Sequence, residues 1–160
     1  MMRWPGKIPP GTTCNEIAGN IDVLPTLAKL VGAEVPDDRV IDGRDISPLM
    51  FDPKAGTVRD TQLYFTGASQ LQAIRQREWK LFLTALPAAG QKAKAKAADA
   101  KAKAAPAGPA LFNLVDDPGE ATDVAAAHPD VVTRLKALAA DMESEIKAHQ
   151  RPAGKHIESK

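Results

Sequence analysis

The spacing of apolar residues predicts a short helix near the N terminus. Within residues 22–32 the apolar positions recur three and four residues apart, which is typical of one buried helical face: Leu24, Leu27, Ala28 and Val31. Asp22 is expected to cap the first turn, and Pro25 is tolerated there because early helical N–H groups lack partners within the helix. Gly32 supplies the left-handed residue on which helices commonly end.

A second helix is predicted at the other end of the chain. Pro129 and Asp130 suit a first helical turn. After them the apolar residues again recur three and four positions apart: Val131, Leu135, Leu138, Met142 and Ile146. This pattern indicates a helix that packs one face on the rest of the fold.

The pattern between the two helices changes to that of short strands. Strand candidates lie at 63–65, 71–75, 79–83 and 111–114. The polar break Gln76-Arg77-Glu78 is too short for a parallel crossover, so the second and third strands must pair antiparallel. Met1 to Trp4 is a further candidate, as the end of a strand that Pro5-Gly6 turns away.

Two segments lack either pattern. Residues 33–62 are rich in Pro, Asp and Gly, which predicts a long and mostly irregular connection held to the surface by a few apolar anchors. Residues 91–105 carry Lys and Ala without an apolar stripe, which favours an exposed, mobile insertion. Its five lysines also allow a tether for nucleic acid or anionic polysaccharide.

Composition narrows the class of protein further. The 160 residues have a formal net charge of +1, which gives no general attraction to nucleic acid or anionic membranes. No apolar run approaches the roughly 20 residues that span a bilayer, and no apolar stretch of a signal peptide follows the first residues. The single cysteine excludes an internal disulfide.

The side chains that could carry chemistry all have a structural explanation. Cys14 has no histidine nearby in the sequence, so we expect a buried or half-buried inert thiol rather than a nucleophile. The paired acidic residues lie beside Pro or Gly, where Asp commonly caps turns, and this favours turn chemistry over a cation site. These pairs are Asp37 with Asp38, Asp42 with Asp45, and Asp116 with Asp117.

Three cations lie on the predicted hairpin, namely Arg75, Arg77 and Lys80. The simpler interpretation is a solvated sheet face. The alternative is a positive patch that helps hold an anionic substrate or pairs with carboxylates of a neighbouring domain.

Five motifs in the same order resemble the C-terminal portion of a type I sulfatase. Residues 3–9 resemble "WPGKI-P-G", residues 21–27 resemble "DLLPTL" and residues 41–49 resemble "DG-DLSPLL". Residues 73–80 are similar to the hairpin "AVR-GKWK", and residues 111–120 to "LYDL--DPGE". Each motif is weak alone, but together they cover nearly all of the chain outside the Lys/Ala segment and the tail.

The resemblance implies an α+β fold, with a short antiparallel sheet and a packed C-terminal helix after the trailing strand and helix of an α/β sulfatase domain. Residues 1–60 would be the end of that large domain and a connection. Residues 61–150 would be the C-terminal subdomain, with the insertion at about 88–109, and residues 151–160 a tail. The missing N-terminal sulfatase domain would be this chain's partner.

The resemblance also implies a chemistry that this chain does not contain. The family uses a formylglycine made from a Cys/Ser-x-Pro-x-Arg motif and a divalent cation, usually calcium, held by Asp and Asn. No such motif occurs here, and Cys14 is followed by Asn-Glu-Ile. No catalytic or metal residue is therefore carried over. If any residues touch substrate, we expect Gln70 and Gln72, in the polar loop before Ala73.

These observations favour a fragment of a sulfuric ester hydrolase that supports the fold, lines one wall of the substrate cleft and is inactive alone. One alternative is a stand-alone binding module for anionic glycans or nucleic acid, using the hairpin cations and the lysines. Another is a fragment of a related phosphate or phosphonate ester hydrolase. Complete members of the family are often periplasmic, secreted or lysosomal.

Overall fold

A computed structural model describes residues 1–52, 54–67, 69–84 and 108–150. A 3-10 turn at Asn20–Asp22 leads into helix α1 (Val23–Val31), and a short helix α2 (Ser47–Phe51) follows. The strands are β1 (Thr61–Phe65), β2 (Leu71–Gln76), β3 (Trp79–Phe82) and β4 (Ala110–Asn113). The long helix α3 (Pro129–Ala148) comes last in the described part. The predicted insertion and the tail fall almost entirely outside the described residues.

The four strands form one antiparallel sheet in sequence order. Gln76 pairs with Trp79, so the β2–β3 turn contains only two residues, Arg77 and Glu78, one fewer than the polar break suggested. Arg77 has a positive φ of 51°, which the tight reversal requires of its first central residue. All four predicted strands are confirmed.

The main core lies between one face of the sheet and α3. Leu63, Ile74, Leu81 and Leu111 are neighbours in register across the four strands, so their side chains share one face. Ile74, Leu81 and Leu111 are fully buried in one cluster with Leu135 of α3. The periodicity of the last helix thus predicted the packing of Val131, Leu135, Leu138 and Met142, but Ile146 is exposed beyond the edge of this core. This sheet with its helix confirms the α+β fold.

A second apolar cluster occupies the other face of the sheet. It contains Ala73, Phe82, Ala110 and Phe112. The rings of Phe82 and Phe112 meet edge to face with centroids 6.0 Å apart, a favourable arrangement for two aromatic side chains. Both faces of this small sheet are therefore apolar at their centres.

Helix α1 confirms the predicted ends, but its predicted buried face is only partly right. Gly32 closes the helix at φ +71°, as expected. Of the four predicted positions only Ala28 is buried, because the helix faces the rest of the described chain with Pro25 and Thr26 instead. Leu24, Leu27 and Val31 are exposed.

The remaining predictions for the first 60 residues have mixed outcomes. Met1 to Trp4 contain no strand, because no strand within the described residues pairs with them. The connection after α1 is mostly irregular, as predicted, apart from the one-turn helix α2. Trp4 packs against Phe51 of α2 with ring centroids 5.9 Å apart, which ties the first residues to this connection.

Candidate functional site

Gln70 and Gln72 lie at the start of β2. Gln70 is exposed, and its N–H donates to Thr66 Oγ1 over 3.2 Å while its carbonyl accepts from the Thr66 N–H over 2.9 Å. Gln72 is half-buried, and its carbonyl accepts from the Leu83 N–H over 2.9 Å. Neither side-chain amide has a hydrogen-bond partner among the described residues, so both are available for a ligand.

The three hairpin cations do not form one patch. Arg75 and Lys80 are opposite each other across β2 and β3, whereas Arg77 lies in the turn. Arg75 Nε donates to the Arg77 carbonyl over 2.8 Å and thereby supports that turn. Lys80 is only 15% exposed at its side chain and is paired within the chain. Neither a solvated face nor a common anion site describes all three.

Lys80 joins the hairpin to the turn before α3. Its Nζ donates to Glu120 Oε1 over 2.6 Å and lies 4.9 Å and 4.7 Å from the ring centroids of Tyr64 and Phe82. Both the ion pair and the ring faces stabilise a cation that is largely removed from water. Two of the five motifs, the hairpin and the Asp-Pro-Gly-Glu turn, are thus linked by direct contact.

A shallow cleft lies beside the β2–β3 turn, where Arg77 and Arg134 of α3 are neighbours. Arg134 donates through Nη1 to Gln76 Oε1. The complete lining is Asp60, Gln76, Arg77, Glu78, Trp79 and Arg134. Two acidic side chains accompany the two arginines, so the lining carries no excess of positive charge and does not single out an anionic ligand.

Asp22 is the centre of the most deeply buried polar cluster in the described chain. Its carboxylate is fully buried and accepts from the N–H groups of Gly19 and Arg44, both over 2.8 Å. Arg59 Nη2 donates to the same carboxylate and also to the Asp42 carbonyl, the latter over 2.9 Å. The predicted side-chain cap of α1 is therefore wrong, because these more distant donors hold the Asp22 carboxylate.

These donors fix the charge state of Asp22. Burial by itself raises the pKa of the carboxyl group, but the two backbone hydrogen bonds and the bond and charge of Arg59 together outweigh it. The pKa of Asp22 is consequently lowered from its ordinary value, and Asp22 is ionised at neutral pH. A buried carboxylate with this many donors contributes to structure, and no open space for a substrate adjoins it among the described residues.

Contacts around Asp22 also join the second motif (residues 21–27) to the third (residues 41–49). Thr26 Oγ1 donates to the Asp22 carbonyl over 2.6 Å and accepts from the Ile46 N–H over 3.0 Å. A Cβ atom added at Gly43 would lie 2.0 Å from the Ile21 carbonyl oxygen, so only glycine allows this close approach. The Asp, Thr and Gly of these motifs therefore have structural roles.

The described residues do not fit a formylglycine or a calcium site. Cys14 is exposed, which contradicts the expected burial, because its loop packs no other element over it; its neighbours still lack the modification motif. No group of three or more His, Cys, Asp or Glu side chains is placed to hold a metal ion in the described ranges. Asp45, Asp116 and Asp117 instead accept hydrogen bonds from turn residues close in sequence, as predicted.

Comparison with known proteins decides the family. A family model described as the C-terminal region of aryl-sulfatase matches residues 57–158, and one described as N-sulphoglucosamine sulphohydrolase, C-terminal, matches residues 1–83. This chain belongs to the sulfatase family. It matches the C-terminal region, as the five motifs predicted.

Similar sulfatases are considerably longer than this sulfatase region. It is 32% identical to mouse steryl-sulfatase over 169 aligned residues, which cover 96% of this chain and 26% of the mouse protein. Human arylsulfatase A is 35% identical over 144 residues, covering 84% of this chain and 28% of the human protein. The chain thus spans about a quarter of the length of these relatives.

Solved sulfatase structures share the fold. A Bacteroides thetaiotaomicron protein, solved in work on the metabolism of multiple glycosaminoglycans, superposes with a TM-score of 0.65 at 25% identity, covering 89% of this chain and 28% of that one. The PsFucS1 sulfatase from Pseudoalteromonas sp. gives a TM-score of 0.59 at 18% identity over 82% of this chain and 26% of that one.

Sequence reasoning missed two arginines of this sulfatase region. Arg59 precedes β1 in an irregular stretch, and Arg134 lies on the polar side of α3, so no periodic pattern distinguishes either. The only signal was indirect, since a buried Asp22 needs a cation.

Among the described residues, no helix has both the length and the apolar character needed to cross a bilayer.

Proposed function

We propose that this chain acts as the C-terminal portion of a sulfuric ester hydrolase and is inactive alone. Two family models together span nearly the whole chain, yet the relatives are about four times as long as the region that matches it. That difference in length is the observation that supports the proposal. The chain's own contribution would be a rigid subdomain, built on the sheet and α3, that supports the active-site domain.

The chemistry would come from the remainder of the enzyme. Formylglycine and calcium belong to the sulfatase family as the resemblance describes it, and they supply the nucleophile and the polarisation of the sulfate. Two of the best-bonded carboxylates of this chain already have structural partners: Asp22 binds Arg59, and Asp117 accepts the N–H groups of Ala121 and Thr122. The missing N-terminal sulfatase domain would therefore hold both groups and bind the sulfate ester with this chain's support.

A turnover assay tests this proposal. The purified chain is incubated with 4-nitrophenyl sulfate and calcium, and release of 4-nitrophenolate is followed by absorbance. We expect no release above the buffer control, because the sequence has no Cys/Ser-x-Pro-x-Arg motif and the described residues form no metal site. Turnover that scales with the concentration of the chain and survives repurification would refute the proposal.

We further propose that Gln70 and Gln72 line one wall of the substrate cleft in the complete enzyme. Gln70 lies on the loop just before β2 and Gln72 is the second residue of that strand, so Gln72 is not in the loop predicted before Ala73. Both amides are free of partners among the described residues. Replacing either by Ala in the complete enzyme should raise KM by roughly three- to tenfold, as expected for one lost hydrogen bond to substrate. Gln150→Ala, at the exposed end of α3, is the matched control. Unchanged kinetics in both variants would exclude this role.

The alternative of a stand-alone module for anionic glycans or nucleic acid has less support. Lys80 is paired with Glu120, and Arg77 shares its cleft with Asp60 and Glu78. Heparin and duplex DNA titrations at low salt test it, and a salt-sensitive binding curve would favour the module. The relatives named above are sulfatases, which favours sulfate esters over phosphate or phosphonate esters.

A further inference from the structure

Helix α1 buries one side and exposes an apolar stripe on the other. One side carries Pro25, Thr26 and Ala28, which are buried against the rest of this chain. The other side carries four apolar residues that point away from it: Val23, Leu24, Leu27 and Val31. At about 100° per residue these four fall within one stripe, on the side of the helix away from the buried residues.

The stripe is well exposed in this chain. The exposed fractions are 47% at Val23, 54% at Leu24, 55% at Leu27 and 76% at Val31. Ile21, just before the helix, adds a further apolar side chain that is 40% exposed. A contiguous exposed apolar patch marks an interaction site.

Contacts on the buried side of α1 fix the position of the stripe. Thr26 Oγ1 contacts the Asp22 carbonyl and the Ile46 N–H, and the Asp22 carboxylate is bound by Arg59. These buried contacts hold α1 in one orientation before any partner arrives. A preorganised surface loses less conformational freedom on binding, which favours a stable interface.

We propose that Ile21, Val23, Leu24, Leu27 and Val31 form the docking surface for the polypeptide that precedes this region in complete sulfatases. This inference rests on the proposed function, and it identifies the surface through which this region would contact the rest of the enzyme. About three-quarters of the length of each relative lies outside the matched region, which provides an occupant large enough to cover the stripe. The stripe lies in the first fifth of the chain, near the point where that polypeptide would join.

A split-protein experiment tests the surface. The tagged chain is co-expressed with human arylsulfatase A from which the matched C-terminal region has been removed, and the complex is purified and its affinity measured. We expect a complex, and we expect Leu27→Glu to weaken it at least about tenfold, since a charged side chain replaces an apolar contact. Val115→Glu is the matched control, because Val115 is 75% exposed and lies outside the stripe.

Each outcome is decisive. If Leu27→Glu binds as the unmodified chain does, the docking surface is refuted while the proposed function stands. If the unmodified chain forms no complex, the docking surface is refuted and sedimentation shows whether a second copy covers the stripe instead, whereas the proposed function is decided separately by the turnover assay. If Leu27→Glu fails to give the unmodified circular dichroism spectrum, Val31→Glu replaces it, because Val31 is the most exposed residue of the stripe.

Discussion

At the scale of single residues, the contact between Asp22 and Arg59 removes two charges from water. Their side chains are 0% and 10% exposed, and within the described residues Arg59 Nε has no hydrogen-bond partner. Such a pair is favourable only while both partners are present, because an unpaired buried charge has a large desolvation cost. Loss of either the Asp22 or the Arg59 side chain should therefore destabilise the first 60 residues.

We expect Asp22→Asn to lower the free energy of unfolding of the N-terminal part by about 3–5 kcal/mol, because Arg59 then keeps an uncompensated buried charge. Urea unfolding followed through Trp4 fluorescence, in a Trp79→Phe background, measures this part of the chain. Glu143→Gln is the control: its pair with Lys147 is exposed on α3 and should change stability by less than about 0.5 kcal/mol. Equal effects of the two substitutions would contradict the prediction.

The lowered pKa of Asp22 predicts that the stability of the N-terminal part depends on pH. Its pKa is lowered in the folded state, so its contribution is complete above the unfolded pKa of about 3.9. As the pH falls from there through the lower folded value, the unfolded state takes up the proton first and that contribution is lost. The stability difference between the unmodified chain and Asp22→Asn should therefore shrink below about pH 4. A constant difference from pH 6 to pH 3 in urea titrations would contradict this.

Asp22 also shows what sequence reasoning could not provide at this scale. Its position before a helix correctly suggested a hydrogen-bonded aspartate, but the predicted partner was the adjacent turn. One actual donor, the Gly19 N–H, is local, but the other two, Arg44 and Arg59, lie 22 and 37 residues away. Only the path of the irregular connection brings them to Asp22, and no local pattern encodes that path.

At the scale of elements, Gly43 sets the distance between the connection and the turn that begins α1. A Cβ atom there would lie 2.0 Å from the Ile21 carbonyl, so the two segments would have to separate. We expect Gly43→Ala to destabilise the N-terminal part by about 1–3 kcal/mol, as for other overpacked sites. The measurement is urea unfolding through Trp4.

Gly56→Ala is the matched control for this prediction. Gly56 lies in the same connection, and a Cβ atom there would meet nothing within 4 Å. We expect its stability to be unchanged or slightly higher, since alanine reduces the freedom of the unfolded chain. A Gly43→Ala protein as stable as Gly56→Ala would show that the close approach is unimportant.

The elements themselves were predictable to different degrees. The strands were found because each is a short apolar run bounded by polar turn residues, and α3 because packing on the sheet gives spacings of three and four. Helix α2 is only five residues long and too short for a periodic signal. In α1 the spacing located a helix correctly, but it could not tell which side of the helix this chain itself buries.

At the scale of the whole molecule, the described chain has a large core on the sheet and a polar cluster under α1. The core joins β2, β3, β4 and α3 through Ile74, Leu81, Leu111 and Leu135, which are all fully buried. In the first 60 residues the hydrogen-bonded cluster of Asp22, Thr26 and Arg59 accompanies a few buried apolar side chains: Ile17, Ala28, Ile46 and Leu49. The division of the chain at residues 60/61 stays a prediction, and these two kinds of contact make it testable.

Hydrogen exchange of the native chain should distinguish the two parts. Amides of β2, β3 and α3 should be the most protected, and those of α1 should exchange faster, because fewer apolar contacts oppose the local opening of α1. Asp22→Asn should accelerate exchange in α1 without changing the sheet. Leu135→Ala should accelerate exchange in the sheet and α3, since emptying a fully buried site costs about 2–5 kcal/mol. If either substitution accelerates all amides equally, the chain opens as one unit and the division at residue 60 is wrong.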